Sequence, residues 1–186
     1  YLNSALYNRI KAIKTDGLDA EDQRLLEVYK QRFELAGANL SDADKEQMKK
    51  INAELATLST QFSSKLLEAR KKGAVLISDV KELDGLSADE IAAAATDAKN
   101  AGYEGKYLLT LLNTTQQPLL QNLKNRATRE KLFKASWYRA EKGDENDTRA
   151  ILERQAKLRM EKAHLMGKSS YAELNLVYQM AKKPEN

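Results

Sequence analysis

The chain has 186 residues, enough for one substantial domain or one large piece of a bigger one, and 42% of them are hydrophobic against 31% charged. It contains no cysteine, which excludes a disulfide framework, a thiol nucleophile and any thiolate metal site. The net charge is +4, but 27 acidic residues are interspersed with 31 basic ones, as on a solvated helical surface rather than a nucleic-acid-binding one, and no apolar run approaches the ~20 residues of a membrane span.

Only eight Gly and two Pro punctuate a sequence rich in Ala, Leu, Lys, Glu and Gln, which predicts long helices. The opening YLNSALYNRI reads as the middle of a helix, with Leu2, Leu6, Ile10 and Ile13 on one face and a stop near Asp16-Gly17. Asp19 is placed to cap the next helix, whose Leu25, Leu26, Val28, Tyr29, Phe33 and Ala36 form a broad apolar face ending at Gly37. Ser41 opens the longest element. Met48, Ile51, Leu55, Leu58, Phe62, Leu66 and Ala69 keep helical spacing, predicting one helix over about 42–72, roughly 45 Å long at ~1.5 Å per residue. Such a helix needs partners along its length, so an elongated multi-helix array is expected.

The pattern changes at Gly73. Residues 74–77 (AVLI) are short, apolar and bounded by Gly and Ser-Asp, and read as a strand. Residues 83–86 (LDGL) form a turn, Ser87 and Glu90 form a capping box, and the Ala-rich helix behind them stops at Gly102. Residues 106–112 are a second extended run, whose pairing with 74–77 makes a short two-stranded ribbon. Pro118 starts a helix predicted to reach about Glu141, with Leu119, Leu123, Leu132 (or Phe133) and Trp137 as its apolar contacts and Trp137 mostly buried. Residues 143–147 turn the chain, and Asp144 or Asp147 caps a helix carrying Ile151, Leu152, Leu158 and Leu165 up to Gly167. Ser170 and Glu173 offer a second capping box before Tyr171, Leu174, Val177, Tyr178 and Met180, and residues 183–186 (KPEN) read as the start of a further helix, so both ends read as cut. With no internal repeat or low-complexity linker, residues 1–186 are expected to form a single, mainly α helical unit.

His164 is the only histidine, and Leu165 and Met166 follow it. A zincin needs two imidazoles one turn apart with a Glu between them, so His164 is read instead as partly exposed in the last turn of its helix, where the dipole favours a cation. No Gly-x-Ser-x-Gly turn offers a nucleophile. Residues 167–170 (GKSS) imitate the end of a phosphate loop, but the Gly that loop needs is replaced by Lys162 inside a helix, which leaves Gly167 a helix stop and the serines caps. Asp144, Asn146 and Asp147 lack the spacing and glycine of a calcium loop. Arg126, Arg129, Lys131, Lys134, Arg139 and Lys142 are the best basic cluster, interrupted by Glu130 and Glu141 as on a solvated face. Composition alone thus points to an independent helical interaction module, with no catalytic, cofactor-binding or metal-ligating residue to name.

Wording adds what local physics does not. Residues 112–118 (LNTTQQP), 126–133 (RATREKLF), 139–142 (RAEK), 146–150 (NDTRA), 165–167 (LMG) and 179–182 (QMAK), with 28–40 (VYKQRFELAGANL) and 83–86 (LDGL), closely resemble the amino-terminal half of bacterial peptidyl-dipeptidases of the thimet oligopeptidase family of zinc metallopeptidases. The resemblance implies a mostly helical, clam-like enzyme with a deep channel. Its zinc site, a His-Glu-x-x-His helix plus a downstream Glu, lies in a carboxy-terminal half that has no counterpart here. It implies zinc as the cofactor of the parent enzyme and none in this fragment, short peptides as substrates cleaved to dipeptides from the carboxyl end, and the carboxy-terminal catalytic half as partner. This segment's implied share is scaffold and channel wall, with neither nucleic acid nor membrane as partner. A cytoplasmic location is expected, the bacterial periplasm being the alternative, since both tolerate Cys-free proteins.

Overall fold

The computed structural model describes residues 2–112 and 117–186; Tyr1 and four residues of the 112–118 motif, Asn113, Thr114, Thr115 and Gln116, lie outside the described residues. The fold is mainly α, with a small two-stranded antiparallel sheet. In chain order the elements are α1 (Ser4–Lys11), α2 (Ala20–Ala36), α3 (Asp42–Lys72), β1 (Val75–Ile77), a 3-10 turn (Val80–Leu83), α4 (Ala88–Asn100), β2 (Tyr107–Leu109), α5 (Leu119–Asn122), α6 (Arg126–Trp137), α7 (Arg149–Leu165) and α8 (Tyr171–Leu176). They form two compact units, one from the residues up to Leu58 together with Glu153–Asn186, the other Ser59–Leu152.

In the first unit α1 and α2 meet through aromatic rings. Tyr7 and Phe33 are buried and stack with centroids 5.7 Å apart, and the Tyr7 hydroxyl donates to Glu34 Oε1 at 2.8 Å. The face expected for α1 holds only in part: Ile10 packs on this cluster, but Tyr7 is the buried residue and Leu6 and Ile13 are exposed. The Asp19 carboxylate caps α2 by accepting from the Asp22 amide, and Gly37 ends it in the left-handed conformation (φ 97°). Ser41 Oγ caps α3 by accepting from the Asp44 amide at 3.1 Å. Met48 and Ile51 of α3 are buried, as are Leu158 and Ala163 of α7 and Leu174 of α8. A guanidinium fork joins α7 to α3, Arg154 donating to both oxygens of Glu54 at 2.6 and 2.8 Å. Beyond α8, residues 183–186 make a turn in place of the further helix expected there, and Met180 is fully exposed.

The second unit is built on the sheet. β1 and β2 pair antiparallel with Val75 opposite Leu109 and Ile77 opposite Tyr107, and α4 packs on β2. The capping box at Ser87 and Glu90 closes in both directions, so α4 starts where the sequence places it. Ile77, Leu83, Leu109, Leu111, Leu123 and Leu132 form the core, each fully buried Leu or Ile contributing about 1.5–3 kcal/mol.

Two expectations for the segment after Pro118 are corrected here. The single helix is two, because Leu123 and Asn125 adopt extended backbone (ψ 120° and 113°) between α5 and α6. One long-range and two local hydrogen bonds hold that break: the Lys124 amide donates to the Asp84 carbonyl at 2.8 Å, and Arg129 Nη1 donates to the carbonyls of Leu123 and Lys124, both at 2.7 Å. Asn125 then caps α6 afresh, accepting from the Thr128 amide. Trp137 is not buried. The inward stripe of α6 is Thr128, Leu132 and Ser136, four residues apart, which turns Phe133 and Trp137 out, 47% and 59% exposed.

Candidate functional site

The residues that sequence reasoning weighed for chemistry are dispersed. His164 stands exposed in the last turn of α7, where a cation complements the helix dipole. Gly167 (φ 70°) terminates that helix, its amide donating to the His164 carbonyl at 2.9 Å. Ser170 Oγ caps α8 by accepting from the Glu173 amide at 3.1 Å. The expected reciprocal bond is replaced: Glu173 accepts instead from the amide and hydroxyl of Ser169, at 2.9 and 2.8 Å. Asp144 and Asp147 shape the turn into α7, Asp147 accepting from the amides of Gly143 and Arg149 and pairing with the Arg149 guanidinium. Those donors hold its carboxyl well below the usual carboxylate range, the Arg149 side chain contributing most.

Ion pairs and caps draw carboxylates down from their ordinary range: Glu54 through Arg154, Glu90 through the Ser87 amide, Glu130 through Lys134, Glu145 through Lys72. Of the basic cluster, Lys131 pairs with Glu82 at 3.0 Å and Lys134 with Glu130, while Arg129 and Arg139 donate to backbone carbonyls. Among the described residues, no three His, Cys, Asp or Glu side chains converge to hold a metal ion.

Two grooves of the second unit lie beside the extended run that begins in β2. Along it Leu109 and Leu111 are buried while Thr110 and Leu112 face out. A groove of about 230 Å³ separates Leu108, Thr110 and Leu112 from Glu90, Ala94 and Asp97 of α4. A second, of about 500 Å³, lies against the same run and is closed by Arg70, Lys71 and Ala74 at the end of α3. A polar clamp fixes the far end of the run. The buried Gln117 accepts from the Leu112 amide at 3.0 Å and donates to the buried Ser136 hydroxyl at 3.1 Å, while Arg139 donates to the Leu112 carbonyl at 2.8 Å. Sequence reasoning missed this clamp; its only local sign is a glutamine directly before Pro118.

Residues 119–186, which comprise α5 to α8 with their connections, match peptidase family M3. The whole chain is 50% identical to the dipeptidyl carboxypeptidase of Escherichia coli and 48% identical to that of Salmonella typhimurium. The chain belongs to peptidase family M3. It is also 38% identical over 95% of its length to the probable cytosolic oligopeptidase A of Arabidopsis thaliana. It spans 28% of the length of either dipeptidyl carboxypeptidase and 26% of the plant relative. M3 peptidases are zinc metallopeptidases. The described side chains do not fit that ion: the one histidine is exposed, and no three His, Cys, Asp or Glu among the described residues converge into a ligand set.

Proposed function

We propose that this chain is the non-catalytic helical part of a zinc peptidyl-dipeptidase, belonging to the amino-terminal half of an enzyme that removes dipeptides from the carboxyl end of short peptides. The observation that carries the reading is the 50% identity across the entire chain to a dipeptidyl carboxypeptidase, of which it covers 28%. In this reading zinc and its ligands come from the carboxy-terminal half, and the parent enzyme works in the cytoplasm, with the periplasm as alternative. This part supplies scaffold and channel wall. The grooves flanking residues 108–112 are the candidate wall: an extended backbone with alternate side chains outward, fixed by Gln117 and Arg139, is a rigid surface along which an unfolded peptide can lie. Charges of both signs, Arg70 and Lys71 opposite Asp97, suit a peptide backbone and its termini better than one charged ligand.

The coding sequence beyond Asn186 tests the reading. A downstream His-Glu-x-x-His followed by a glutamate supports it, and a reading frame that closes without that motif overturns it.

A further inference from the structure

Phe133 and Trp137 form a stacked pair, with ring centroids 5.6 Å apart and planes 18° from parallel. They sit one stripe around α6 from its buried face, at 47% and 59% exposure, so the two rings hold each other in place with little help from the core. Together they leave on the order of 200 Å² of aromatic surface in water, since each such side chain carries about 150–250 Å². Aromatic anchors of this kind dominate binding energy where protein surfaces meet.

Several features say what covers them. Both rings lie within the residues matching family M3, and 72% of the length of the dipeptidyl carboxypeptidases, the complement of the 28% this chain spans, has no counterpart in it. A stacking platform for nucleic acid would need free cations around the rings. Instead, Lys131 and Lys134 are neutralised by Glu82 and Glu130, and Arg129 is committed to backbone carbonyls. The stacked rings are also preorganised, which lowers the entropy that docking must overcome. We infer that the Phe133–Trp137 face of α6 is the docking surface for the carboxy-terminal remainder of the same polypeptide, the two rings inserting as anchors between its apolar side chains. The inference rests on the reading of this chain as part of a longer peptidase.

Trp137 is the only tryptophan of the chain, and trypsin releases it in the short peptide at residues 135–139 (ASWYR). Hydroxyl-radical footprinting with mass spectrometry is therefore carried out on the full-length polypeptide bearing this sequence and on the 186-residue chain, with dipeptide release from a blocked tetrapeptide assayed in parallel. The expected result is strong oxidation of Trp137 in the 186-residue chain, unchanged on dilution, and clear protection in the full-length protein. Equal oxidation in both overturns the inference. So does protection in the 186-residue chain that dilution relieves, which would assign the face to a second copy, or protection conferred only by an added oligonucleotide. A double substitution, F133S with W137S, removes no core residue and is expected to weaken binding of the separately produced remainder by on the order of 30-fold or more, as for paired anchors. Unchanged binding overturns the inference even if footprinting is ambiguous. Dipeptide release with an unprotected Trp137 sinks the docking surface alone, whereas protection without dipeptide release sinks the proposed activity alone.

Discussion

Replacing Gly85 with alanine should be among the most damaging single-methyl changes in this chain. Gly85 has φ 98°, and a Cβ built there lies 2.0 Å from the Asn122 carbonyl oxygen and 3.0 Å from Lys124 Cγ. The conformational term is about 1–2 kcal/mol for an L residue in the left-handed region. The contact cannot be relieved by a side-chain rotation, because its partner is backbone. Relief requires moving the break between α5 and α6 away from the 83–86 turn, which loses the hydrogen bond from the Lys124 amide to Asp84, about 1 kcal/mol. It also loosens Leu83 and Leu123, both buried in the same core. The conformational and hydrogen-bond terms together come to about 2–3 kcal/mol, and the loosened core adds to that. Gly102 provides the control: its φ is 83° and nothing lies within 4 Å of an added Cβ, so the same substitution there should cost only the conformational term. Urea unfolding followed by far-ultraviolet circular dichroism measures both variants. Equal losses at Gly85 and Gly102 would refute the close approach and, with it, the account of why the helix breaks after Asn122.

The phase of α6 is tested by Leu132→Ala against Trp137→Ala: the first deletes a side chain that is 1% exposed and should cost about 3 kcal/mol, the second a mostly solvated ring worth about 1 kcal/mol or less. A reversed order of unfolding midpoints would restore the buried Trp137 that the sequence suggests. Thr128 is fully buried and its hydroxyl has no hydrogen-bond partner among the described residues, so Thr128→Val should leave stability unchanged or raise it by up to about 1 kcal/mol; a larger loss contradicts the orphaned hydroxyl. The Asp147 carboxyl is depressed, chiefly by Arg149, so its contribution is complete above the ordinary value of about 3.9 and fades only as pH falls through the lower, folded value. Carbon-13 titration should place its midpoint below that of an unfolded aspartate, and an ordinary midpoint would mean the turn into α7 is not held as described.

Local signals were legible wherever local physics decides. The bounds of α3, the Ser87–Glu90 box, the strands on either side of α4 and the left-handed stops at Gly37 and Gly167 all follow from residues within a turn of the feature they fix. Helix phase was less legible. On α1 the apolar seam pointed to Leu6 rather than Tyr7, because burial of Tyr7 depends on a distant ring and on a carboxylate for its hydroxyl. On α6 the apolar choices at Phe133 and Trp137 outranked Thr128 and Ser136, yet Ser136 is buried with Gln117 across the chain as its partner. The break at residues 123–125 carries neither Gly nor Pro, and one of its causes, the bond from the Lys124 amide to Asp84, reaches across 40 residues, while the other, Arg129 folding back on two carbonyls, leaves no recognisable sequence signal. The resemblance, by contrast, was carried by long runs of wording and identified the family without any of that geometry.

The central claim, that this chain is a non-catalytic part of a zinc peptidyl-dipeptidase, is tested most directly by release of dipeptides from an amino-blocked tetrapeptide, with and without a chelator. The account predicts chelator-sensitive release by the full-length polypeptide bearing this sequence and none by the 186-residue chain, even with zinc supplied. Chelator-sensitive turnover by the 186-residue chain itself, or a full-length protein that releases no dipeptide, would contradict it.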